Sequence, residues 1–232
     1  MATTNSQSPS QQTTVPQREV AKLVFAAELN NATYTFKTAE DERAPVYVAL
    51  PTGERANRVC LMGTITDIEN VGSDGQEYLQ ARVVDPTGTV FVYAGQYQYE
   101  ALKDLKEIQP PEFVAVVGKP RTYKTDDGRI NVSIVPEAVN VVDSRTRNVW
   151  VYETARQTLE RVRSVQDGTS KLATLAREKY GHDGSHYSHV AALALQELLD
   201  IDDSEETSRE AVMQHLEERK TKEANAGAAN TN

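Results

Sequence analysis

Five runs of alternating apolar and polar residues between positions 58 and 143 constrain this chain more than any other feature in it. Residues 58–68 (RVCLMGTITDI), 78–85 (YLQARVVD) and 89–94 (TVFVYA) have the two-residue period and β-branched content of half-buried strands. A short helical stretch follows, then two further strands at 113–119 (FVAVVGK) and 130–135 (INVSIV). Turn chemistry fits this division: Asp85-Pro86-Thr87-Gly88 and Asp126-Asp127-Gly128 both carry residues that favour tight connections. Gly63, inside the first strand, predicts a bulge or sharp bend there, as closure of a small barrel requires.

Five strands with one helix before the last hairpin is the order of an OB-fold, a barrel often used to bind oligonucleotides. The expected fold is mainly β: a five-stranded OB-fold barrel with an N-terminal extension and C-terminal helices. Alternation puts Leu79, Ala81, Val83, Val90 and Val92 inside, which leaves Tyr78, Arg82, Phe91 and Tyr93 on one outer surface. Flat rings beside a cation suit the stacking of unpaired bases, worth roughly 1–3 kcal/mol per base. Tyr97 follows the third strand and either extends that surface or caps the barrel end. Lys119, Arg121, Tyr123, Lys124 and Arg129 lie around the last hairpin and are candidates to hold phosphates. Phe113 is expected in the core, and Trp150 packed on the barrel or a partner.

The flanks divide by composition. Residues 1–17 are a Ser-, Thr- and Gln-rich tail with few bulky apolar side chains, expected to be disordered. Residues 18–57 read as one amphipathic helix over 18–29 followed by a strand pair, 33–36 with 46–50, packed on the barrel. Residues 144–166 form the clearest helix in the sequence. Its narrow stripe of Val151, Ala155, Leu159 and Val162 either docks on the chain's own barrel or joins partner helices. Residues 167–221 form a helical appendage with helices at 170–180 and 188–199, the second offering Val190, Leu193, Ala194, Leu198 and Leu199 as its apolar face. A last amphipathic piece lies at 209–219 after an acidic linker, and residues 222–232 form a disordered tail.

Charge and special residues narrow the function. Net charge is −9, from 34 acids against 25 lysines and arginines, so any binding to a polyanion must rely on local potential. Four cations lie between Lys119 and Arg129, and five arginines lie between Arg145 and Arg163, as binding patches or as ordinary solvated surface. An acidic surface also suits concentrated salt, where the Debye length shrinks to roughly 3 Å at 1 M. The single cysteine, Cys60, excludes an intramolecular disulfide and suits a reducing cytoplasm. His182, His186 and His189 fall within eight residues. They lack a companion ligand set, so a polar loop between helices is favoured over a metal site. No phosphate-cradling loop, nucleophile elbow or paired-carboxylate motif occurs, so the chain is expected to be no enzyme and to need no cofactor.

Residues 83–97 (VVDPTGTVFVYAGQY), 115–123 (AVVGKPRTY) and the hairpin Asp127-Gly128-Arg129 resemble archaeal replication protein A subunits. They do so most in the manner of the replication protein A-associated proteins of halophilic archaea. The resemblance spans roughly residues 20–165 and is weakest in the C-terminal helices. It implies an accessory subunit similar to the middle subunit of eukaryotic replication protein A, binding single-stranded DNA in replication, repair and recombination. It further implies a hetero-oligomer with a larger replication protein A-like subunit, and favours the interface reading of Val151, Ala155, Leu159 and Val162. One departure stands out: such subunits often end in a winged helix, whose strands are absent from this sequence. The alternatives are an OB-fold assembly subunit that touches no DNA and, on the histidine cluster, a metal-dependent processing enzyme.

Overall fold

All five expected strands form, and they close into a barrel, in a computed structural model that describes residues 18–41, 44–73, 75–199 and 214. The chain enters through a two-residue strand β1 (Lys22–Leu23) and a short helix α1 (Ala26–Asn30). A small antiparallel sheet follows, built from β2 (Tyr34–Lys37), β3 (Val46–Ala49) and β4 (Arg55–Ala56). The barrel comprises β5 (Val59–Asn70), β6 (Leu79–Asp85), β7 (Gly88–Ala94), β8 (Glu112–Lys124) and β9 (Ile130–Val141). One 3₁₀ turn and the helix α2 (Tyr99–Glu107) stand between β7 and β8. Three helices end the described chain: α3 (Ser144–Asp167), α4 (Lys171–Tyr180) and α5 (Ser185–Leu199).

Hydrogen bonding runs β5-β6-β7-β9-β8, and β8 returns antiparallel to β5 from Val59↔Gly118 to Ile65↔Glu112. Among the barrel strands only the β7–β9 contact, Val92↔Ile134, is parallel; β1 also lies parallel on β5. This is the OB-fold. The alternation that predicts the strands also fills them: Leu61, Ile65, Ala81, Val83, Val90, Val92, Val114, Val116 and Ile134 are all buried.

Curvature enters at a different residue from the one expected. The register of β5 on β6 slips between Ile65 and Asp67, so the bulge lies at Thr66. Gly63 is required for another reason: a Cβ there would come within 2.3 Å of the Val84 carbonyl oxygen, so only glycine lets the two backbones approach so closely. A second slip, between Val117 and Gly118, helps β8 and β9 turn outward and continue as a hairpin beyond the barrel wall.

The expected helix over residues 18–29 is mostly absent, and only Ala26–Asn30 is helical. The apolar spacing fits a helix, but β5 offers free backbone partners, and the Lys22 amide donates to the Arg58 carbonyl at 2.9 Å. Tertiary hydrogen bonding overrides local propensity here. The Ala26 amide then donates to the Asp85 carboxylate at 2.7 Å, pinning the entry segment to the β6–β7 turn. The strand pair expected at 33–36 and 46–50 does form, registered Phe36↔Tyr47.

Helix α3 begins where Asp143 caps it, accepting from the Thr146 amide at 2.7 Å, and ends at Gly168 in the left-handed conformation. Its stripe is not a free subunit interface. Val151, Ala155 and Val162 are buried within this chain, and Leu159 packs half-buried on the same core. The reason is that α5 and α4 fold back against α3 while β1, β5 and β8 receive its other side. Trp150 meets Phe25 edge-on at 5.6 Å and donates its Nε1–H to the Cys60 carbonyl at 3.4 Å.

A buried ion pair fixes the same joint. Glu28, wholly inaccessible, lies 2.9 Å from the Arg161 guanidinium. Thr52 and Thr158 hydroxyls also donate to its carboxylate, at 2.6 and 2.8 Å. Sequence pattern gives no sign of this pairing, because the partners are 133 residues apart.

Smaller corrections follow from the same packing. Helix α5 starts at Ser185, earlier than expected, and Leu193 is 51% exposed, so the buried face is Tyr187, Ala191, Ala194 and Leu198. Phe113 is half-buried under the Arg147 guanidinium, 5.1 Å from its ring centre, and not in the core. The tails at 1–17 and 222–232 lie outside the described residues, as does the amphipathic piece at 209–219 apart from Gln214. Among the described residues no helix is long and apolar enough to cross a membrane.

Candidate nucleic-acid interface

Strands β6 and β7 pair so that Gln80 faces Tyr93 and Arg82 faces Phe91. Tyr78 precedes β6, and its ring stacks on Tyr93 with centroids 5.8 Å apart and planes 19° from parallel. Phe91 lies 6.5 Å from Tyr93, tilted by 38°. The three rings form one continuous outer surface, with Tyr78 41% and Phe91 38% exposed. Partial burial, with a smaller contribution from Tyr78, raises the Tyr93 phenol above its ordinary pKa. The Tyr93 ring is therefore neutral at physiological pH.

Opposite the rings stands the outward β8–β9 hairpin. Its register sets Arg121 against Ser133 and Tyr123 against Asn131. Between rings and hairpin lies a groove of about 810 Å³, lined by Tyr78, Phe91, Tyr93, Arg121, Tyr123 and Asn131, among others. Beyond Tyr78 a second hollow of about 660 Å³ continues along the β5–β6 loop to Tyr97, which is 87% exposed. Tyr78 lines both, so the two hollows adjoin at this residue.

The fold therefore brings five of the ten candidate residues into one groove: Tyr78, Phe91, Tyr93, Arg121 and Tyr123. Tyr97 stands in the adjoining hollow. Arg82 is exposed but stands in register between Phe91 and Asp67, and does not line the groove. Lys119 lines a separate cleft against the N-terminal sheet. Lys124 is exposed at the end of β8. Arg129 is held by Asp127, whose carboxylate accepts from its Nε at 2.6 Å. That bond is the main cause of the lowered Asp127 pKa. The pair lies exposed at the hairpin tip and gives Arg129 a countercharge of its own.

Asn131 and Ser133 are additions that the residue reading missed. The signal was present, since they alternate with buried Val132 and Ile134 in INVSIV and so had to face outward.

Three of the five arginines of α3 are engaged with carboxylates. Arg147 pairs with Glu197 at 3.4 Å, Arg156 bonds Glu153 at 3.2 Å and also Glu160, and Arg161 is buried on Glu28. His182 stacks on Tyr180 at 6.2 Å, while His186 meets Tyr187 edge-on at 5.4 Å. No group of three His, Cys, Asp or Glu placed to hold a metal occurs among the described residues. In the turn, Asp85 accepts from the amides of Ala26, Thr87 and Gly88, so its carboxylate is engaged in structure.

No family model matches the sequence, and no curated protein matches it. Among solved structures, the chain is similar to a mitochondrial single-stranded DNA-binding protein from S. cerevisiae at 18% identity, over 38% of this chain and 94% of that one, with a TM-score of 0.30. It is also similar to the second single-stranded DNA-binding protein (SSBb) of Mycobacterium smegmatis, at 21% identity over 38% and 89%, with a TM-score of 0.33. A third is asparaginyl-tRNA synthetase from Pyrococcus horikoshii, at 16% identity over 45% and 30%, with a TM-score of 0.31. The fold assignment rests on the strand order and closure of the barrel itself.

Proposed function

We propose that this protein binds single-stranded DNA along the groove between the β6–β7 rings and the β8–β9 hairpin. It would act as a non-enzymatic accessory subunit of a replication protein A-like complex in replication, repair and recombination. The observation that carries the reading is the meeting of Tyr78, Phe91 and Tyr93 with Arg121 and Tyr123 around one open groove. Exposed rings supply stacking surfaces, a guanidinium supplies a phosphate or base partner, and Asn131 and Ser133 supply hydrogen bonds. In an OB-fold, the face of the second and third strands and the loop between the fourth and fifth are where oligonucleotides are held. The complex and its larger partner subunit rest on the sequence resemblance. Because the α3 stripe is occupied within the chain, the partner would have to meet another surface.

The test is fluorescence anisotropy of labelled oligo-dT with the purified chain, in high salt, without and with its partner. Phe91→Ala with Tyr93→Ala should weaken binding by about 2–6 kcal/mol if both rings stack, which is about 30-fold or more. Unchanged affinity in a folded double variant rejects the groove. Loss of a protein complex with DNA affinity intact would instead make the barrel an assembly module.

A further inference from the structure

The N-terminal sheet makes a second wall beside the barrel. Between its outer face and β8 lies a cleft of about 280 Å³, lined by Thr35, Val46, Asn57, Lys119, Arg121 and Thr122, among others. Thr35 and Val46 are exposed on β2 and β3, and Val46 is 56% accessible at the cleft mouth. Lys119 and Arg121 are two residues apart on β8, so they point to the same side, about 7 Å apart along the strand. Both are exposed, and neither forms an ion pair among the described residues. Among the described residues no carboxylate lines the cleft.

Arg121 also lines the aromatic groove. Arg121 thus stands at the junction of two hollows: one walled by rings, the other by Lys119 and Arg121, two hydroxyls, an amide and the apolar Pro45, Val46, Val48 and Pro120. The first chemistry suits bases and the second suits a phosphodiester backbone.

We infer that the cleft between the β2–β3 sheet and β8 is the continuation of the single-strand track, a phosphate-binding exit that takes the strand after it leaves the rings. Arg121 contacts the phosphate at the junction, and Lys119 the next one. Thr35, Asn57 and Thr122 donate hydrogen bonds to backbone oxygens, and Val46 packs on a sugar. The N-terminal sheet therefore belongs to the binding surface and is not only a cover for the barrel. This inference rests on the proposed groove and lengthens it in one direction, so the chain binds strands long enough to pass the junction more tightly than strands that only fill the rings.

The experiment compares 5′-labelled oligo-dT of about 5 and about 15 nucleotides, the range occupied by one OB domain, on the full chain. Thr35→Glu puts a like charge beside the backbone from the N-terminal sheet. It should weaken the longer probe about tenfold and leave the shorter one unchanged. Lys119→Thr should make the slope of log K against log salt shallower by about 0.7 on the longer probe, the loss of one single-strand phosphate contact. Circular dichroism and melting confirm that both variants fold. If wild type binds both probes and Phe91→Ala with Tyr93→Ala abolishes it, while Thr35→Glu and Lys119→Thr change neither affinity nor slope, the exit cleft is refuted and the groove stands. If wild type binds neither probe, groove and cleft fall together.

Discussion

Replacing Arg161 with leucine tests how the helices are fastened to the barrel. The guanidinium donates to both carboxylate oxygens of Glu28 at 2.9 and 3.0 Å, and also to the Thr52 and Thr158 hydroxyls and the Leu23 carbonyl. Arg161→Leu strands Glu28 at zero exposure with the Thr52 and Thr158 hydroxyls, and the Phe25 amide at 3.5 Å, as its remaining donors among the described residues. At an effective dielectric of about 20, a pair about 4 Å apart contributes about 4 kcal/mol. Removal of one partner from buried pairs costs about 3–5 kcal/mol, a large share of the roughly 5–15 kcal/mol that stabilises a domain. With a urea m-value of about 2 kcal/mol/M, the midpoint should fall by about 2 M at constant m. The paired change Glu28→Met with Arg161→Leu removes both charges and should recover most of that loss. Equilibrium urea unfolding followed by circular dichroism measures all three variants. A cost below about 1 kcal/mol for Arg161→Leu, or a double variant no better than the single, would refute the ion pair as the fastening. Because α3 rests on β1, β5 and the start of β8, oligonucleotide affinity of the folded single variant should be retained.

Two further outcomes follow from burial. Thr154 is inaccessible and its hydroxyl has no hydrogen-bond partner among the described residues, so Thr154→Val should be neutral or stabilise by about 1 kcal/mol in thermal or urea melts; a clear loss would mean the hydroxyl is satisfied. Burial pushes the Cys60 thiol up to about 11, which leaves about one thiol in a thousand ionised at pH 8. Ellman's reagent should therefore react slowly with the native chain and fast in denaturant. The raised thiol favours folding below the unfolded-state pKa, and that contribution is lost as pH climbs through about 11.

The barrel was legible because its strands are short, β-branched and half-buried, which makes the two-residue period an almost direct print of inside and outside. Tyr78, Phe91 and Tyr93 could be placed on one surface for that reason alone. What alternation does not carry is where curvature takes a side chain. Arg82 and Phe91 face each other across two strands, yet only Phe91 borders the groove. Lys119 and Arg121 share a face of β8, yet only Arg121 reaches the rings. The β1 segment carries a helical spacing, but its partners are backbone groups of β5, which no side-chain pattern records. The α3 stripe is apolar in the sequence, but a stripe does not name what covers it. Here α4 and α5 fold against α3 on one side, and β1, β5 and β8 on the other.

Charge separates in the same way. The acidic excess of the chain does not spread evenly over its cations, because geometry assigns most arginines of α3 to specific carboxylates: Arg147 to Glu197, Arg156 to Glu153 and Glu160, and Arg161 to Glu28. Arg58 is likewise matched to Glu137, and Arg129 to Asp127. Lys119, Arg121 and Lys124 stand apart from these pairs, gathered on the end of β8 that flanks the rings. A chain of net charge −9 thus keeps a local cationic edge where the proposed strand would pass. With so few unpaired cations the electrostatic part of binding is small, a salt slope of about −0.7 for each phosphate contacted. Stacking, which salt hardly screens, would then carry most of the affinity, and the groove is built in that proportion: four aromatic rings to one guanidinium.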